Sequence, residues 1–194
     1  MKNVKKVIAL AACALLLVVG SVAGTIAFLS STAQVKNTFS VGNVTITMDE
    51  TDVDLYGVKD GETRKTDNEY KLIPAHEYVK DPIVHVGDTS EDSYLFVRVT
   101  NGISAIEDAN NTVHSQMIAL GWQEVDATKG IYVYDRVVSA GENIPVFTKV
   151  VIADDADVST YEDKELLVQA CAIQKDGFGS QDDAFAQLPN DFKN

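Results

Sequence analysis

Hydrophobic and polar positions along this chain fall into two patterns. From Val7 to Val19 the residues are apolar without interruption, and no charge occurs until Lys36. Beyond residue 40 the apolar residues break into short runs that alternate with polar ones. Val44-Thr45-Ile46-Thr47-Met48 alternates strictly, which predicts a strand with Val44, Ile46 and Met48 inward and two threonines outward. Ile83 to Val86 follows Pro82, and Tyr94 to Thr100 places Leu95, Val97 and Val99 on one face. Gly130 to Tyr134, Val146 to Ile152 and Leu166 to Gln174 complete a set rich in β-branched and aromatic residues. Gly, Asn and Asp separate these runs, and few helical stretches intervene. That spacing predicts an all-β fold with two packed antiparallel sheets, a β-sandwich, rather than an alternating βαβ sheet.

Two short helices are expected. Asn111 or Thr112 can cap a stretch with Val113, Met117 and Leu120 on one face, ended by Gly121. Ser180-Gln181-Asp182-Asp183 resembles a capping box, followed by Ala184, Phe185, Leu188 and the stop Pro189. Asp49 to Tyr70 is polar and turn-rich, and reads as an exposed hairpin or loop.

Charge separates the same two parts. The chain has 194 residues, 16 Lys+Arg, 29 Asp+Glu and a net charge of −13. Three of the bases, Lys2, Lys5 and Lys6, lie in residues 1–27, which hold no acid. The remaining 167 residues therefore carry 13 bases against 29 acids, a net −16. Such a body repels phosphate backbones and argues against a nucleic-acid partner. A basic start, an apolar run and then small residues are the order of a secretory signal. Thr25-Ile26-Ala27 and Ser31-Thr32-Ala33 both offer cleavage sites. Val7 to Leu29 is also long enough to remain as a membrane anchor. Leu10-Ala11-Ala12-Cys13 matches a lipoprotein box, in a poor context because apolar residues follow it. The expected organisation is a signal helix over 1–27 and a secreted domain over 28–194, with membrane contact only through the leader.

Loss of the leader leaves Cys171 alone inside an apolar run, so it reads as a buried small hydrophobe and the fold must hold by its core. Catalytic signatures are weak. His76-Glu77-Tyr78-Val79-Lys80 has Lys80 where a zinc-binding His-Glu-x-x-His helix needs its second imidazole, and Pro74 and Pro82 flank it. His85 and His114 have no partner at metal spacing in the sequence. Gly-x-Ser-x-Gly and phosphate-loop strings are absent. Asp49, Glu50, Asp52 and Asp54, and separately Asp154, Asp155 and Asp157, could supply oxygens to calcium but also read as solvated acidic loops. No catalytic, metal or cofactor residue is assigned.

Several strings together resemble a known family. They are Gly24 to Leu29, Asn37-Thr38-Phe39-Ser40-Val41-Gly42-Asn43-Val44, Tyr70 to Pro74, Lys80-Asp81-Pro82 and Ser93 to Val99. Gly121-Trp122, Ala140-Gly141-Glu142 and Ala172 to Phe178 complete them. The chain, over about residues 20–188, resembles the TasA/camelysin group of exported Gram-positive proteins. The resemblance implies a jelly-roll-like sandwich and cleavage by a SipW-type signal peptidase between Ala27 and Phe28. Some relatives polymerise into biofilm matrix fibres, and others have been assigned metalloprotease activity. The implied role is a non-enzymatic structural protein of the cell surface or matrix that self-associates through Phe28, Leu29, Val35 and Phe39. The alternatives are a secreted metallopeptidase and a monomeric surface binding module. Equally, Phe39 to Met48 reads as the first strand of its own domain, with residues 28–37 as a tail.

Overall fold

The structure is a computed structural model that describes residues 42–193 and, apart from them, Val4. The leader, its cleavage positions Ala27 and Phe28, and the assembly residues Leu29, Val35 and Phe39 lie outside the described residues.

From residue 42 onward the fold is all-β with three short helices. The strands are β1 (Ile46–Val53), β2 (Lys59–Lys65), β3 (Glu77–Val79), β4 (Ile83–Val86) and β5 (Ser93–Asn101), then β6 (Trp122–Asp126), β7 (Ile131–Tyr134), β8 (Asn143–Pro145), β9 (Lys149–Val151) and β10 (Leu166–Gln174). Helix α1 (Val113–Ala119) precedes β6, and α2 (Gln181–Ala186) and α3 (Asn190–Lys193) end the chain. One four-stranded sheet has the order β2-β1-β4-β8 and the other β10-β5-β7-β6, with β3 and β9 forming a separate pair. Every pairing is antiparallel.

The two sheets share one core. Val84 and Val86 of β4 and Ile144 of β8 meet Leu95, Val97 and Val99 of β5 there, with Trp122, Phe147, Tyr78 and Val150. Burial of these apolar side chains is the main favourable term holding the layers together. Trp122 is 1% exposed, and its indole N–H donates to the Pro145 carbonyl at 3.0 Å, tying β6 of one sheet to β8 of the other.

Strand β5 is buried on both faces, although alternation predicted one. Tyr94 and Phe96 point away from the shared core, toward Ile131, Val133 and the helix residues Ala184, Leu188 and Phe192. The C-terminal segment thus covers the outer face of the second sheet. Arg98 joins in, with its guanidinium donating to the Phe192 carbonyl at 3.1 Å.

Both anticipated helices form with their caps. Thr112 Oγ1 accepts from the Ser115 N–H, and Ser180 Oγ accepts from the Asp183 N–H. Other boundaries moved. Among the described residues the first strand runs from Ile46 to Val53 and pairs with β2, so of the hairpin or loop expected over Asp49 to Tyr70 it is the hairpin that forms, with Asp49 to Asp52 in its first strand. Val44 stays half-buried just ahead of it. The predicted strand Val146 to Ile152 contracts to β9, because Val146 and Phe147 turn into the core between β8 and β9. At Gly130, before β7, φ is +63° and a Cβ would lie 2.3 Å from the Val99 carbonyl oxygen, so only glycine fits that approach.

Candidate functional site

A sheet edge is a site wherever its backbone groups are left for another strand, and folded proteins usually blunt such edges with charge, proline or bulges. Three of the four edges of the two four-stranded sheets follow that practice. Strand β2 carries Lys59, Asp60, Glu62, Arg64 and Lys65. Strand β8 is three residues long and ends in Pro145. Strand β6 holds Glu124 and Asp126 with a register shift between them.

The fourth edge, β10, has none of these features. Its nine residues, Leu-Leu-Val-Gln-Ala-Cys-Ala-Ile-Gln, contain no charge and no proline. It pairs with β5 through an unbroken register, Leu166 opposite Asn101 to Gln174 opposite Ser93. Among the described residues no strand pairs with its other side.

The register settles which groups face outward. The Lys175 N–H donates to the Asp92 carbonyl at 2.7 Å, and the Gly102 N–H to the Glu165 carbonyl at 2.8 Å. Antiparallel partners alternate between bonded and non-bonded pairs, so the odd positions of β10 bond β5. Leu166, Val168, Ala170, Ala172 and Gln174 therefore direct their N–H and C=O away from β5. The side chains of Leu166, Val168, Ala170 and Ala172 pack against the shared core, whereas Cys171 and Ile173 face the C-terminal helices. Leu167, 46% exposed, stands at the start of this edge.

A cleft of about 1070 Å³ opens at that same end of β10. One wall is the irregular strap from Thr66 to Leu72, and the other runs from Val158 to Leu167. Asn68 fixes the strap: its amide donates to Glu50 and to the Thr51 carbonyl, and its oxygen accepts from the Val53 N–H. Tyr78, at the floor, donates its hydroxyl to the Lys71 carbonyl and accepts from the Ile73 N–H at 2.8 Å. Lys80 and Glu50 form a largely buried ion pair at 2.7 Å, and the Lys80 ammonium lies 5.4 Å from the Tyr70 ring centroid. Burial, together with the Glu50 and Asp81 carboxylates, drives the Tyr70 phenol well above its ordinary pKa. Apart from the paired Glu50 and Lys80, the lining holds five acids and two bases, Lys71 and Lys164.

The histidines are dispersed. His76 lies just ahead of strand β3 rather than on a helix, with Nε2 against the Tyr56 carbonyl, and Tyr78 of the same string is buried. His85 lies between Asp49 at 3.0 Å and Asn143. The Asp49 and Asn143 hydrogen bonds raise its pKa. Burial opposes ionisation of Asp49, but hydrogen bonds from Arg64 and His85 outweigh it and hold the carboxyl below its usual range. His114 meets the Tyr132 hydroxyl at 2.9 Å, and burial beside Glu124 pushes that phenol up to about 12.

The acid group at Asp49 is likewise split by strand alternation. Asp49 pairs with Arg64, Glu50 turns to the other face to meet Lys80, Asp52 pairs with Lys65, and Asp54 accepts from the Tyr56 and Val58 N–H groups. In the second acidic stretch Asp157 accepts from Ser159 and caps a 3-10 turn. Among the described residues no three His, Cys, Asp or Glu gather as a metal would require. Cys171 is half-buried, and burial raises its thiol pKa, which disfavours the reactive thiolate. No helix among the described residues is long and apolar enough to cross a membrane.

Comparison with known proteins found no matching family model, curated protein or solved structure.

The cleft and the bare edge were not singled out in the sequence. The edge has only a weak signal there, the uncharged run 166–174, because 109–123 is a longer run without Asp, Glu, Lys or Arg.

Proposed function

We propose that this protein is an exported, non-enzymatic structural subunit of the cell surface or extracellular matrix, assembling through strand addition at β10. The observation that carries the reading is the uncharged, regular, nine-residue edge of β10 beside three blunted edges. A segment laid along it would satisfy the outward N–H and C=O groups of Leu166 to Gln174, and its alternate side chains would meet the margin of the shared core. The Phe28 to Val41 segment of a second copy suits that role, with Phe28, Leu29, Val35 and Phe39 as its filling side chains. Cleavage between Ala27 and Phe28 by a SipW-type peptidase would release it, in keeping with the resemblance to the TasA/camelysin group. A jelly-roll-like winding has support in the nested pairings β3 with β9, β4 with β8 and β5 with β7 around the β6–β7 hairpin.

The test is the mature chain beginning at Phe28, followed by light scattering and negative-stain microscopy between about pH 4 and 7. Oligomers or fibres are expected. Ala170→Pro, which removes an outward N–H, and Leu167→Lys, which adds charge at the edge, should each return monomers. A wild-type chain that stays monomeric across the range overturns the reading. A monomeric surface binding module is the second reading, favoured by the cleft, and it predicts that stable monomer.

A further inference from the structure

The cleft at the start of β10 has a chemistry of its own. Its floor and walls include Leu72, Tyr78, Val150 and Leu166, with Leu55 and Leu167 each about half exposed. Asp67 and Glu69 stand on the strap side, and Glu162, Asp163 and Glu165 on the other, so these five acids outnumber the two bases among them, Lys71 and Lys164. An apolar cavity rimmed by carboxylates selects a ligand that is bulky and apolar but carries a positive charge. A free peptide N-terminus with large first side chains has those properties.

We infer that this cleft captures the freed N-terminus of a second copy, taking the side chains of Phe28 and Leu29 with the Phe28 ammonium set among the rim carboxylates. The inference rests on the proposed strand addition at β10 and names its anchor. Three observations favour this occupant. First, the cleft and the edge are continuous, since Leu166 and Leu167 belong to both. Second, charge selects the segment. The stretch from Phe28 to Met48 holds one charged residue, Lys36, so after cleavage its leading part is cationic while the rest of the body is acidic. Third, length fits. Phe28 to Val41 is about 14 residues, and at roughly 3.3 Å per residue the nine of β10 occupy about 30 Å. Nine residues laid parallel to β10 leave about five beyond Leu166, where the cleft opens. The anchor would fix the register of an otherwise slippery, uncharged strand pair. It would also make docking depend on cleavage, because an uncut leader presents no ammonium at Phe28.

The probe is a synthetic Phe28–Val41 peptide, amidated and labelled at its C-terminus, titrated by fluorescence anisotropy into the mature protein. The free-amine peptide should bind at least about tenfold more tightly than its N-acetyl counterpart. The double variant Glu162→Lys, Asp163→Lys should erase that preference, so that the free-amine and acetylated peptides bind alike. Both substitutions lie on exposed positions, and circular dichroism with a thermal melt shows that the variant folds. Binding that ignores acetylation and the double variant overturns the anchor while leaving strand addition in place. Absence of binding by either peptide, together with a monomeric protein, removes strand addition and the anchor with it.

Discussion

At the scale of single residues, His85 shows how this acidic protein uses its few basic groups. It stands opposite Thr47 across the β1–β4 ladder, with Asp49 on one side and Asn143 of β8 on the other. Arg64 of β2 reaches the same Asp49 and also Asp81, so one carboxylate joins three strands. A raised folded-state pKa for His85 means that its protonated form stabilises the fold. That contribution is fully present below the unfolded value near 6.5 and disappears as pH rises through the higher folded value. Asp49 has the opposite sign. Its lowered pKa contributes stability above about pH 4, lost on acidification through the folded value. The two act together in the mildly acid window between. Urea midpoints for the wild type and His85→Gln should therefore differ most near pH 5 to 6 and converge by about pH 8. An equal gap at both pH values would show that His85 acts by packing and hydrogen bonding alone.

At the scale of elements, the sequence made the strands and helices legible where side-chain period and caps agreed. Ile83 to Val86 and Leu166 to Gln174 appear with the boundaries their runs predict, and Thr112 and Ser180 cap where expected. It misled where tertiary packing overrides the local pattern. Trp122 to Asp126 mixes one large apolar residue with two exposed polar ones, and becomes a strand because the indole is buried between sheets and bonded to Pro145. Asp49 to Tyr70 reads equally as hairpin or loop, and the hairpin forms with Arg64, Lys65 and Lys80 pairing its acids in space. The cleft was unreadable for a related reason, since its walls lie far apart in sequence and only the fold brings Tyr70 near Leu166. Trp122 offers a test of the tie between layers. Trp122→Ala should cost about 3–5 kcal/mol in chemical denaturation, from the cavity left behind. Trp122→Phe keeps most of the apolar contact but leaves the Pro145 carbonyl without its donor, and should cost about 1–3 kcal/mol. A loss below about 0.5 kcal/mol for Trp122→Ala would mean that the sheets close without it.

At the scale of the whole molecule, electrostatics acts in two opposite directions. The body's net −16 makes every copy repel every other, which opposes indiscriminate association at the β10 edge that is unpaired among the described residues. The proposed capture of a cationic N-terminus by the carboxylate rim would be attractive and local. Salt separates the two. The screening length falls from about 30 Å at 0.01 M to about 3 Å at 1 M, so added salt weakens both the long-range repulsion and the exposed local attraction. For the isolated Phe28–Val41 peptide, which bears its ammonium and Lys36, attraction is the only large electrostatic contribution, and its affinity should fall as salt rises. For the mature protein each subunit brings the full acidic body, repulsion dominates, and self-association followed by light scattering should strengthen over the same range. Acidification toward pH 4 should also promote self-association by discharging carboxylates across the body. Opposite salt slopes for peptide and protein are the signature of an acidic subunit that recognises a basic terminus. Parallel slopes would place the attraction outside the carboxylate rim.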